Sequence, residues 1–172
     1  MGGLLLEKNM KIKLTDQEML VGCMTGLTRH IESLTRGMKH RFPEQYPHQA
    51  LLNNQLGSCS EMAYAKMIGA YFSHSVNTFQ VPDIGDNIEV RYSNMDKLKV
   101  RMTDRDVYVV SMSGRLPEFT YNGFIWCEDA KRPEWVKDYN NLGKPAYFVP
   151  LSELALEFVT TKNKPEQMGI FE

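Results

Sequence analysis

Residues 81–92 read Val81-Pro82-Asp83-Ile84-Gly85-Asp86-Asn87-Ile88-Glu89-Val90-Arg91-Tyr92, and the fold reading starts here. From Ile88 the apolar residues Ile88, Val90 and Tyr92 alternate with Glu89 and Arg91, the period of a half-buried β-strand. Such a strand buries the first set and presents Glu89 and Arg91 on the opposite face. Gly85-Asp86-Asn87 is a turn sequence, and across it Asp83 reaches the same edge. Paired carboxylate oxygens suit a hard cation such as Mg2+, so Asp83 and Glu89 are candidate metal ligands.

Period two continues downstream. Ser93-Asn94-Met95-Asp96 reads as a hairpin turn, after which Lys97-Leu98-Lys99-Val100-Arg101-Met102 alternates cations with apolar residues. One face of that strand is core and the other carries the basic row Lys97, Lys99 and Arg101. Val107 to Met112 is nearly all apolar, as a central strand covered on both faces is. Phe119 to Trp126 supplies an aromatic strand, or a hairpin about Asn122-Gly123, so the sheet has at least four strands.

Upstream the pattern is helical. Thr15-Asp16-Gln17-Glu18 is a capping box that starts the first ordered element, and Leu20, Met24, Leu27, Ile31, Leu34 and Met38 follow at spacings of four and three. This stripe is expected in the core, with a partner-helix or homodimer role as the alternative. The helix ends near Gly37, before the Pro43 and Pro47 connection. Ser58-Cys59-Ser60-Glu61 is a second Ser-x-x-Glu box, with Ala65, Ile68 and Phe72 on the face of Glu61. Glu61 is then either a cap reaching back to the Ser58 amide or a functional group aimed at the neighbouring sheet. Toward the C-terminus, Lys131 to Trp135 and Ser152 to Leu154 suggest short helical turns, and Lys144 to Pro150 an extended segment.

With 172 residues, 42% of them apolar, the chain suits one domain with a real core. The expected fold class is α/β (α+β), a mixed, mainly antiparallel central sheet flanked by helices. The expected boundaries are an N-terminal extension over 1–14, one domain over 15–160 and a flexible tail over 161–172. A formal net charge of -1 excludes a dedicated polycation, so polyanion binding must come from a local patch. Cys23, Cys59 and Cys127 are far apart in the chain and odd in number, which fits reduced thiols in a cytoplasm better than a disulfide framework. Leu4 to Leu6 is too short for a signal or a membrane span, so no membrane partner is expected. His30, His40, His48 and His74 lack zinc-site spacing, and the scattered glycines form no phosphate loop.

The order of a helix with Glu61, a turn with Pro82-Asp83 and a strand with Glu89-Val90-Arg91 resembles the restriction-endonuclease-like PD-(D/E)XK nuclease superfamily. The resemblance implies metal-dependent phosphodiester hydrolysis of nucleic acid, with DNA as the expected substrate. Asp83 and Glu89 would hold Mg2+ (or Mn2+), and Glu61 would complete the shell or orient water. Arg91 would take the superfamily's lysine position, where a guanidinium can clamp or orient but cannot act as a base. The gap from Asp83 to Glu89 is short for the superfamily, so Asp86 is the alternative ligand and Asp83 then a turn residue. Lys97, Lys99 and Arg101 would contact backbone phosphates.

The stretch from about Gly57 to Pro150, including residues 129–135 and 145–150, also looks like uncharacterised proteins encoded by tailed phages. A host cytoplasm is the location that this implies. Three other readings stay open. Glu89 and Arg91 could form a solvated charged face, pairing across the hairpin with Arg101, Lys99 or Asp96. The chain could bind nucleic acid without turnover, or it could inhibit a host protein through the aromatic segment Phe119 to Trp135.

Overall fold

The apolar run at 107–112 becomes β4 (Tyr108–Arg115), an interior strand. Around it lie β1 (Met10–Lys13), β5 (Glu118–Trp126) and β2 (Ile88–Tyr92) in the order β1-β5-β4-β2. The structure, a computed structural model, describes residues 9–37, 47–74, 76, 81–139 and 143–160. β2 runs parallel to β4, in the register Glu89 with Val109 and Arg91 with Ser111, while the other pairs are antiparallel. Both faces of β4 are covered, as its sequence requires. Val110 and Met112 join the core under the helices, and Val109 joins a second core beneath another sheet.

That second sheet is antiparallel, ordered β3 (Lys97–Arg101), β7 (Ala146–Pro150) and β6 (Val136–Lys137). The expected β2–β3 hairpin therefore does not form; β3 pairs with β7, Lys97 opposite Pro150. The cause lies in the 93–96 turn, which is tied to β4. The Ser93 amide donates to the Met112 carbonyl at 2.9 Å, and Asn94 Oδ1 accepts from the Gly114 amide at 2.8 Å. The chain leaves the first sheet at that point, and Leu98 and Val100 bury with Val109, Ile125 and Val149. The mixed α+β class stands, but it comprises two sheets, one of them covering the face opposite the helices.

Among the described residues the first element is β1 rather than the helix. Ile12 and Leu14 are core residues, so residues 10–14 belong to the domain; with lysines at 11 and 13, the four-residue strand carries too little apolar pattern to stand out. Asn122-Gly123 makes no hairpin, since β5 runs straight through it and the β4–β5 turn falls at 116–117. At Gly123 (φ 123°) a Cβ would lie 2.6 Å from the Ala155 carbonyl oxygen, so the close pairing of Phe124 with Ala155 needs glycine there. Short 3-10 turns occupy Pro133–Trp135 and Leu151–Glu153. Residues 161–172, Met38 and Pro43 lie outside the described residues.

Helix α1 (Asp16–Thr35) begins at its Thr15 capping box, with Glu18 Oε2 accepting from the Thr15 amide at 2.7 Å. Helix α2 (Pro47–Ile68) packs on the four-stranded sheet, and α1 packs on α2. The face that α1 buries is not the expected leucine stripe. Gly22, Thr25 and Gly26 face α2 instead, and a Cβ at Gly26 would stand 2.5 Å from the Gln55 Cα. Small residues let the helix backbones approach closely, which turns the large side chains outward: Leu20 is 64%, Met24 52%, Ile31 51% and Leu34 54% exposed. Among the described residues, no helix is long and apolar enough to cross a membrane.

Candidate functional site

β2 is an edge strand, and the 81–87 segment closes its open side. Ile84 and Ile88 exchange backbone hydrogen bonds at 3.1 and 3.3 Å, and Asp83 Oδ2 accepts from the Val90 amide at 2.8 Å. The outward amides of an edge need such partners, and meeting that need fixes Asp83 beside Glu89. Asp83 thus has a structural duty while its Oδ1 takes no hydrogen bond among the described residues. Asp86 is exposed in the turn, away from the half-buried position that Asp83 holds.

On the face of β2 opposite Ile88 and Val90, Arg91 bridges two carboxylates. Its Nη1 donates to Glu89 Oε2 at 2.6 Å, and its Nη2 donates to Asp104 Oδ1 and Oδ2 at 3.1 and 3.3 Å. Asp104 is held in turn by the Arg101 amide, 2.8 Å from its Oδ2. Arg91 Nε is buried with no hydrogen-bond partner among the described residues. Glu89 Oε1 accepts no hydrogen bond among them either.

Glu61 is not a cap. α2 begins at Pro47, so Ser58 and Glu61 lie inside the helix, and the Ser-x-x-Glu pattern coincides with no terminus. Glu61 instead meets Arg29 of α1 in a fork, Nη1 to Oε1 at 2.6 Å and Nη2 to Oε2 at 2.7 Å. Both side chains are largely buried.

The electrostatics join these pieces into one cluster. Burial, with the Glu61 charge nearby, pushes the Asp83 carboxyl up to about 7; the Val90 amide, Arg91 and Arg29 oppose that rise. Burial likewise pushes Glu89 up to about 7, with Arg91 opposing and Asp83 and Asp104 reinforcing. Burial also raises Glu61 above its ordinary value of 4.5, against the pull of the Arg29 fork, and the Glu89 charge adds to the rise. Four expected site residues, Glu61, Asp83, Glu89 and Arg91, are therefore brought together by one helix, one turn and one edge strand. Asp86 stays outside the cluster.

Among the described residues, no group of three or more His, Cys, Asp or Glu is arranged to hold a metal ion. Mg2+, however, is commonly bound through one or two carboxylates, keeping several waters and taking substrate phosphates. Asp83 and Glu89, each with one uncommitted oxygen, fit that donor set. The basic row is only partly at the site. Arg101 acts electrostatically on Glu89, whereas Lys99 Nζ lies 5.8 Å from the Phe148 ring centre. With Lys97 it sits on β3 in the second sheet, not on a hairpin with β2.

Arg29 and Asp104 complete the cluster and were not among the sequence candidates. A signal for Arg29 existed: it falls three and seven residues after Gly26 and Gly22, on the small-residue face of α1. Asp104 sits among ordinary turn residues and had none. The aromatic segment proposed as a host-protein contact is core: Phe119, Tyr121 and Phe124 are buried in the core under the helices with Trp126 packed against it, and Trp135 is buried in the second core. Comparison with family models, curated proteins and solved structures finds no match to this chain.

Proposed function

We propose that this chain is a Mg2+- or Mn2+-dependent phosphodiesterase that cuts nucleic acid, DNA in the first instance, at the Asp83–Glu89 cluster. The observation that carries the reading is the meeting of Asp83 and Glu89, half-buried, mutually repelling and each with a free oxygen. Carboxylates held near neutral pKa by burial and like charge are poised to exchange protons for a divalent cation. When bound, the ion would act as Lewis acid toward the phosphate and lower the pKa of a water.

The chain's own residues supply the rest. Asp83 and Glu89 would give up their protons and hold the ion, while Arg91, fixed by Asp104, orients Glu89. The Arg29–Glu61 fork holds α1 and α2 in place at the rear of the cluster. Arg101, with Lys97 and Lys99 further along β3, meets backbone phosphates. We place the activity in the cytoplasm, that of a host if the chain is phage-encoded, in keeping with its free thiols.

The test is cleavage of supercoiled plasmid and of single-stranded DNA with Mg2+ or Mn2+, against an EDTA control and against Glu89→Gln. Metal-dependent cutting that Glu89→Gln abolishes supports the reading. No cutting, with DNA retention that survives EDTA, replaces it with a binding protein of the same fold. Neither cutting nor retention overturns the nucleic-acid assignment.

One specific observation favours a partner of a second kind. Between Gln17 and Thr35 the exposed positions of α1 are Leu20, Met24, Thr28, Ile31 and Leu34, without a charge. Two spacings of four, from Leu20 to Thr28, followed by two of three, from Thr28 to Leu34, match a helix–helix seam, and such a face can pair with itself about a two-fold axis without like-charge repulsion. The partner assigned to it is a second copy of this chain.

A further inference from the structure

We propose that Cys23 of α1 and Cys59 of α2 form a redox-closable dithiol, joined as a disulfide when a small-molecule disulfide such as oxidised glutathione reaches the folded protein. The two residues are 36 positions apart in the chain, yet their sulfurs lie 3.7 Å apart in contact. Closing to a bonded distance of about 2.05 Å needs less than about 2 Å of movement.

The helix contact itself creates the pair. A Cβ at Gly22 would lie 2.7 Å from Cys59 Sγ, so the Cys59 thiol occupies room that exists because residue 22 has no side chain. Access is unequal. Cys23 is half-buried while Cys59 is fully buried, which assigns the entry thiol to Cys23 and the resolving thiol to Cys59. Cys127 is also buried, and its sulfur contacts Glu128 Oε1 at 3.7 Å.

The chemistry balances with one oxidant molecule. The Cys23 thiolate attacks the small disulfide, forming a mixed disulfide and expelling one small thiolate. Cys59 then loses its proton to solvent and attacks Cys23 Sγ, forming the protein disulfide and expelling the second thiolate. Two protein thiols are oxidised, and one disulfide is reduced to two thiols. Burial, with the Cys23 sulfur adding to it, pushes the Cys59 thiol up to about 12, which makes the second step the slow one.

The bond would tie α1 to α2 six residues before Arg29 and two before Glu61, and so lock together the helices that carry the buried fork. Closing a loop of this length should raise the melting temperature by about 5–10 °C.

The experiment is incubation of the native, reduced full chain with oxidised glutathione, followed by acid quench, alkylation, non-reducing digestion and mass spectrometry. The expected result is a Cys23–Cys59 linked peptide lacking two hydrogens, reversed by dithiothreitol, with Cys127 alkylated. Cys59→Ser should stop at a glutathione adduct on Cys23. A stable Cys23 adduct in the wild-type protein would overturn the proposal, as would both thiols remaining alkylatable after a day, or a link that involves Cys127.

Discussion

Arg29 and Glu61 face each other across the α1–α2 contact as two parallel hydrogen bonds of 2.6 and 2.7 Å, donated by both terminal nitrogens of one guanidinium. Planar fork geometry is the strongest form of this pairing. It also makes each member depend on the other, because a largely buried charge without a partner is costly.

Removing one partner should therefore cost more than removing both. Arg29→Met is expected to destabilise by about 3–5 kcal/mol, and Arg29→Met with Glu61→Leu by clearly less. Urea denaturation of the two single variants and the double variant measures this. Additive losses would show that the fork does not act as a unit.

Asp83 and Glu89 have folded-state pKa values raised to about 7 from 3.8 and 4.5. The folded state therefore binds protons more tightly than the unfolded state. Their stability contribution is full below about pH 4 and is lost as the pH rises through about 7, by a few kcal/mol together. Metal-free protein should show a melting temperature that falls across that window, and Asp83→Asn or Glu89→Gln should flatten the slope. Added Mg2+ or Mn2+ should restore the loss above pH 7 in the wild type alone. A flat wild-type profile would contradict the electrostatic account of the cluster.

Two glycines in helices should respond oppositely to alanine. Gly26→Ala drives a methyl against the backbone at Asn54 and Gln55, 2.5–2.7 Å away, and should cost at least about 1–3 kcal/mol. Gly57→Ala, inside α2 with nothing within 4 Å of the new carbon, should stabilise by about 0.5–1 kcal/mol. Paired thermal melts decide it.

The uncharged face of α1 predicts self-association. Light scattering coupled to size exclusion should find a dimer that becomes a monomer in Met24→Glu with Ile31→Glu. Because both positions are more than half exposed, that variant should keep its monomer stability within about 0.5 kcal/mol per site. A monomeric wild type would leave the face without the partner assigned to it.

Much of this fold was legible in the chain because local rules act locally. The Thr15 box, the β2 alternation and the doubly covered β4 each follow from spacing within a few residues. The failures are those of tertiary choice. The 4-3 stripe of α1 was correctly seen as one face, but periodicity does not say which face is buried, and Gly22 and Gly26 decided that by admitting a closer contact than leucines allow. Ser58-x-x-Glu61 satisfied a cap pattern inside a helix that had begun eleven residues before Ser58. At the site, Asp83, Glu89 and Arg91 were visible because turn and strand periodicity place them together. Arg29 and Asp104 reach it only through contacts distant in sequence.

The chain passes from the first sheet at β2 into the second at β3, returns for β4 and β5, and crosses again to β6 and β7. Neither sheet can be completed while the other is missing, since the parallel β2–β4 pair is connected through a strand of the opposite layer. Such interleaving ties the two layers into a single folding unit. Hydrogen exchange should find the interior amides of β4 and those of β7 opening in the same global event, so that loosening the edge near Asp83 would be felt in a sheet that Asp83 does not belong to.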